Sequence, residues 1–414
     1  MSPRVRASRE RRGSGSGFAV PGLLRWLAAL CCAGLMLAQR APVEDAWDLL
    51  ARGERESALR LLQKIVKTNP RDAEARLMLG SILAEDRKHA EAIAHLSEAV
   101  RLMPRSADAH NALGEALSGA GDVDGARREF EATIALNPNF APARVSLGLI
   151  LAEAGESGAA AEHLDRAIKL LKRGPDLAFA KYLRAKIYTE NEEIEKAAAY
   201  LADAVAMQPD FFEAWSDLGQ ARKALLDDDG AFAAFQKAVA LNPEDPVARY
   251  RLGAEYLRRD NVREAVRHLE EAYRRNPKDQ STLYSLQMAL RRDGQLERAR
   301  LIREQLAEVL REIDRESQAA FTALRLNNEG AALEKEGKLP AALEKYREAV
   351  KLDPAHVGIR TNFAVALLRL GYWAEGIAEL REALRRDPRN EILKKALADA
   401  LAQAPPGIEA ARPK

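Results

Sequence analysis

The chain has 414 residues, 47% of them hydrophobic, 30% charged and only 6% aromatic, with a formal net charge of +2. Residues 1–38 hold six Lys/Arg against one acid, which leaves 58 basic against 61 acidic residues for the remainder; a near-neutral body gives no electrostatic case for nucleic-acid binding, which needs a clustered basic surface. Both cysteines, Cys31 and Cys32, lie in that N-terminal stretch, so the body offers no disulfide framework, thiolate zinc site or thiol nucleophile.

The first seventeen residues are polar and basic, and an apolar stretch interrupted by Arg25 runs from Phe18 to Ala38. From Trp26 to Ala38 there are 13 uncharged residues, the length of a signal-peptide core and short for a membrane span. Counted from Phe18, the stretch reaches 21 residues with one charge. Residues 1–38 are therefore expected either to export the chain or to anchor it in a membrane. Neither Ala38 nor Ala41 ends a small-x-small cleavage pattern. Lipoprotein and twin-arginine signals fit poorly, because Leu30 precedes Cys31 and Ser14 stands two places after Arg12.

A period of 34 residues organises the rest. X-Pro pairs end at Pro70, Pro104 and Pro138, return at Pro209, Pro243 and Pro277, and again at Pro354 and Pro388, always 34 apart within a run. Each period reads as two amphipathic helices. In 107–140, Ala109, Ala112, Leu113, Ala116 and Leu117 form one apolar stripe. Gly121 then breaks the helix and Asp122 is placed to cap the next. Val123, Ala126, Phe130 and Ile134 form the second stripe, which Asn137-Pro138 ends, because a residue before proline is pushed out of the helical region.

Two phases are reserved for small residues. Gly80, Gly114, Gly148, Gly219, Gly253 and Gly330 share the first, with alanine at 46, 185 and 364. The second holds Ala58, Ala92, Ala126, Ala160, Ala197, Ala231, Ala265, Ala299 and Ala342, then Gly376. Glycine inside a helix costs about 1 kcal/mol relative to alanine, so its recurrence implies close helix approach, with bulky residues such as Leu96, Phe130, Phe235 and Tyr346 filling the gap beside each contact.

These residues resemble the tetratricopeptide repeat (TPR) family. The unit 212–245 carries the pattern in Trp215, Leu218-Gly219, Ala231, Phe235, Ala238 and Pro243, departing at Arg222, where the family prefers Tyr. The resemblance covers roughly 39–390 and implies an all-α fold, a right-handed superhelical solenoid of about ten two-helix units with a capping helix at 391–403.

The array is irregular in two places. Lys172 replaces the expected proline, and three residues ending in Gly174-Pro175 precede the next unit. Over 280–322, Gln287 stands at a glycine phase, Arg303 at a bulky phase, and no proline appears before Pro340. From Leu296 to about Arg325 the sequence reads as one long charged helix. The expected organisation is an array at 39–313 (about eight units, the last degenerate), an extended helical connection at 314–322, a C-terminal pair with its cap at 323–403, and a flexible tail at 404–414.

TPR proteins bind peptides or domains on the face made by the first helix of each unit. Carried over, that face holds Phe179, Tyr182, Lys186, Gln220, Tyr250, Tyr284 and Arg291. Earlier units place Glu74, Glu85, Asp108, Glu115 and Glu153 there, and later ones Arg258, Arg292, Lys335 and Arg369, so the face is expected to run from acidic to basic. The other reading of the same residues is a solvated face with tyrosines packed against neighbouring repeats. A Lys/Asn clamp for a C-terminal carboxylate is matched only at Asn362. The six histidines are scattered over different repeats, and no HExxH, GxSxG, P-loop or GxGxxG motif occurs. The expectation is a scaffold that binds protein or peptide partners, without cofactor, metal or catalytic site, in an extracytoplasmic compartment or anchored at a membrane. The alternative is a docking or regulatory subunit of an enzyme complex that handles glycans or secretion.

Overall fold

A computed structural model describes residues 42–388 and 390–405. The expected leader or anchor at 1–38 and the last nine residues of the expected tail lie outside the described residues. The described residues contain twenty helices and no strand. They divide after Leu252 into two compact units.

The first unit holds six helix pairs: α1 (Pro42–Ala51) with α2 (Arg55–Thr68), α3 (Ala73–Glu85) with α4 (His89–Leu102), α5 (Ala107–Ala120) with α6 (Val123–Leu136), α7 (Ala141–Glu153) with α8 (Ser157–Leu170), α9 (Pro175–Glu190) with α10 (Ile194–Met207), and α11 (Phe212–Ala224) with α12 (Asp228–Leu241). The division falls inside α13 (Pro246–Arg258). The second unit continues through α14 (Val262–Arg275), α15 (Gln280–Arg292), α16 (Leu296–Lys335), α17 (Leu339–Leu352), α18 (Val357–Arg369), α19 (Trp373–Arg386) and α20 (Glu391–Gln403). Ten helix pairs and a final single helix result, because α16 serves as the second helix of one pair and the first of the next.

The punctuation follows the sequence. Gly121 closes α5 in the left-handed region at φ 84°, and the Asp122 carboxylate accepts from Gly125 N–H to cap α6. Asn137, ahead of Pro138, leaves the helix at φ −134°, ψ 93°. The left-handed turn recurs in every pair. Where glycine is missing there, Arg87, Glu192, Leu226 and Asp260 adopt positive φ instead.

Packing confirms the register. Eight of the nine alanines of the second small phase are fully buried and Ala299 is 3% exposed. The glycine phase behaves as the sequence reading expects: the bulky side chain fills the space that a Cβ on the glycine would need. A Cβ on Gly114 would stand 2.8 Å from Phe130 Cε1, and one on Gly80 would stand 2.6 Å from Leu96 Cγ. The last pair inverts the arrangement: Gly376 on α19 meets Leu368 of α18.

The long charged helix does not stop near Arg325. It runs 40 residues to Lys335 and takes in the whole first helix of the following pair. No helix among the described residues is long and apolar enough to cross a membrane.

Candidate functional site

The first unit gathers three of the expected partner-binding residues on one first helix, α9. Pro175 starts α9, and its first two turns carry Phe179, Tyr182 and, one turn further, Lys186. Phe211, the residue before α11, packs against this pair. Its ring centroid lies 4.8 Å from that of Tyr182 and 6.4 Å from that of Phe179, and the two α9 rings are 6.2 Å apart. Lys186 Nζ stands 5.9 Å from the Tyr182 centroid, within cation–π range.

Charge is threaded through the same place. Burial holds the Tyr182 phenol well above its ordinary pKa, and the charges of Asp217 on α11 and Glu213 push it the same way. Burial also raises the Asp217 carboxyl, against the pull of Arg251 and Lys186. Burial lowers the Arg251 guanidinium on α13, opposed by Asp217 and Asp245. Arg251 Nη1 donates to Ser216 Oγ at 2.6 Å, a side chain that is itself buried. Arg251 thus ties α13 to α11 by a part-buried hydrogen bond, and Phe211, just ahead of α11, packs on the two α9 rings.

Tyr182 thus belongs to the packing between repeats, as the second reading of these residues expects. Gln220 is exposed one turn beyond Ser216, and Tyr250 is half-buried beside Arg251. Tyr284 and Arg291 lie in the second unit, both exposed on α15, Tyr284 at 59%. Phe211, Ser216, Asp217 and Arg251 were not picked out by reading the face phases. Their signal is a 35-residue separation, one more than the period: Arg251 reaches Ser216, Arg292 the Leu257 carbonyl at 3.1 Å, Asn362 the Asn327 side chain at 2.9 Å, and Arg369 the Glu334 carboxylate.

Part of the expected charge gradient is spent in local pairs. Arg55 neutralises Glu85 at 2.6 Å, Arg258 pairs with Glu255 at 2.7 Å and Arg369 with Glu334. Glu115 is the acid that stands out. It accepts from Asn111 Nδ2 at 2.9 Å, yet burial, reinforced by the charges of Asp176 and Glu85, pushes its carboxyl up to about 7. Asn362, the one match to a carboxylate clamp, has its amide engaged by Asn327.

Three histidines have structural partners 19 residues away, from the first helix of a repeat to the second. Arg76 and Arg144 donate to Nδ1 of His95 and His163 at 3.5 and 3.3 Å, and His110 Nδ1 lies 2.6 Å from Glu129. Burial, helped by the arginine charge, holds His95 and His163 below the ordinary imidazole pKa, so both stay neutral acceptors at pH 7. No group of His, Cys, Asp and Glu among the described residues is placed to hold a metal ion.

Two family models, both described as tetratricopeptide repeat, match the chain. One matches residues 44–109 and 111–178, the other 176–408. Among solved structures, the chain is similar to YrrB, described as a TPR protein with an unusual peptide-binding site, at 19% identity over 46% of this chain and 96% of that one, with a TM-score of 0.40. It is also similar to pilF of Pseudomonas aeruginosa, at 16% identity over 52% of this chain and 97% of that one, TM-score 0.48. MamA follows at 24% identity over 40% and 95%, TM-score 0.36. No curated protein matches the chain.

Proposed function

The chain belongs to the tetratricopeptide repeat family, and on that premise we propose that it is a non-catalytic scaffold holding protein or peptide partners on the face made by its first helices. The observation that carries this reading is the run of contacts joining α9, α11 and α13. Phe211 packs on Tyr182 and Phe179, and Arg251 donates to Ser216, while Lys186 and Gln220 remain exposed beside them. A partner meeting that surface loses little freedom in the scaffold, which is how a rigid array of modest contacts reaches useful affinity. Within the second unit, Tyr284 and Arg291 stand exposed on a first helix in the same way.

The test is capture of partners from the native host by the full chain and by a variant carrying Tyr250→Ala and Tyr284→Ala. Loss of capture at unchanged helicity supports the reading. Full capture by the variant means that the partners bind elsewhere. Recovery of one enzyme in fixed ratio, rather than several extended clients, would instead make the chain a docking subunit.

Export or membrane anchoring by residues 1–38 belongs to the same proposal and rests on the basic flank and apolar core of that segment. N-terminal sequencing with cell fractionation decides it. A soluble chain beginning near residue 39–42 is an exported scaffold, and an intact chain in the membrane fraction is an anchored one. An intact soluble chain would overturn both.

A further inference from the structure

The middle of α16 carries an apolar stripe that the described residues leave bare. In regular repeats an X-Pro pair ends the second helix, and the next first helix folds back to cover it. Here Arg311 stands one period after Pro277, and the helix runs on. The following first helix is the same helix, so it cannot fold back on its own preceding turns. Leu310, Ile313, Phe321 and Leu324 are left exposed, Phe321 at 72%.

Their spacing says what fits them. Ile313 and Phe321 stand four residues either side of Ser317, and Leu310 and Leu324 stand seven either side. Residues four and seven apart share one helix face, so the stripe is a single face, about 21 Å long at 1.5 Å per residue, and it is symmetric about Ser317. A face symmetric about its own midpoint is self-complementary under a twofold axis, the geometry of an isologous dimer. We propose that the partner for this stripe is α16 of a second copy of the chain, antiparallel, with the twofold axis passing at Ser317.

In that arrangement Leu310 meets Leu324 of the second copy and Ile313 meets its Phe321. The small Ser317 at the centre lets the two backbones approach closely. Asp314 and Arg325 lie along the same edge of the stripe, and a twofold axis sets like edges together, so each Asp314 faces toward Arg325 of the second copy. All these residues belong to one compact unit, and none takes part in the partner-binding surface proposed above. A two-helix contact of this length is smaller than a standard stable interface, so dimerisation is concentration-dependent.

Cross-linking tests the axis. In the full chain with Cys31→Ser and Cys32→Ser, Ser317→Cys should give a covalent dimer with a short thiol-to-thiol cross-linker. Gln318→Cys, turned about 100° around the helix, should not. Leu310→Cys and Leu324→Cys should each fail alone and link when mixed. Light scattering should show mass rising toward twice 45.6 kDa with concentration, and Ile313→Glu with Phe321→Glu should return the chain to a monomer with unchanged circular dichroism. If the double variant misfolds, the cysteine series decides alone. A chain that stays monomeric up to its solubility limit, or one that links at 318 as readily as at 317, overturns the proposal.

Discussion

The repeat at 107–136 and the stretch from 280 to 335 begin and reverse by the same rules. Both first helices are side-chain capped: Ser106 accepts from Ala109 N–H and Asp279 from Thr282 N–H. Both chains reverse through a left-handed glycine, Gly121 at φ 84° and Gly294 at φ 79°. They part in two respects. Phe130 lies across Gly114 in the first, whereas Gln287 and the exposed Arg303 occupy those phases in the second. Asn137-Pro138 stops α6, whereas nothing stops α16 before Lys335. The turn within a repeat is thus separable from the stop between repeats. The glycine turn builds the helix pair, and the proline stop lets the next pair stack on it.

The largest expected effect tests the part common to both. Ala126 is fully buried, and Ala126→Arg would force a cation and six further side-chain heavy atoms into closed space. It should destabilise by roughly 3 kcal/mol or more. An unchanged melting curve would refute the register that both stretches share.

A paired substitution sharpens the difference. Gly114→Ala drives a methyl to 2.8 Å from the Phe130 ring and should cost about 1–3 kcal/mol. At Gln287 no aromatic or leucine side chain stands at the matching phase, so Gln287→Ala should fall within about 0.5 kcal/mol of the parent. Chemical denaturation of the two variants measures the contrast. Equal costs would mean that the side chain lying across the glycine is not what distinguishes the regular repeats.

How far such rules were readable in advance depends on their range. The small phases, the Gly121 turn and the Asp122 cap are local, and the buried alanines fall where the period puts them. The contact from Arg251 to Ser216 was not legible, because it depends on the offset between neighbouring first helices, which displaces the contact from 34 to 35 residues. The end of α16 was misjudged for a related reason. Residues 323–335 carry the periodicity of a separate first helix, with Gly330 in its place under Tyr346, and periodicity does not reveal that no turn precedes it. The acidic-to-basic face is weakened by pairing: a count of charges along one phase misses Glu255 and Glu334, which lie near enough to neutralise their arginines.

The smallest effect concerns the turn that every pair retains. Leu226 holds that position at φ 61° and is 85% exposed, so its side chain gains little from packing while its Cβ crowds a left-handed backbone. Leu226→Gly relieves the crowding, partly offset by the greater freedom glycine gives the unfolded chain, and should stabilise by up to about 1 kcal/mol. Gly121 supplies the reciprocal case. A Cβ there would meet nothing within 4 Å, so any cost of Gly121→Leu is backbone strain and not a clash. The two substitutions should shift the thermal midpoint by similar amounts in opposite directions. If Leu226→Gly lowers it instead, left-handed strain is not being carried at the non-glycine turns, and Arg87, Glu192 and Asp260 hold the same conformation without cost.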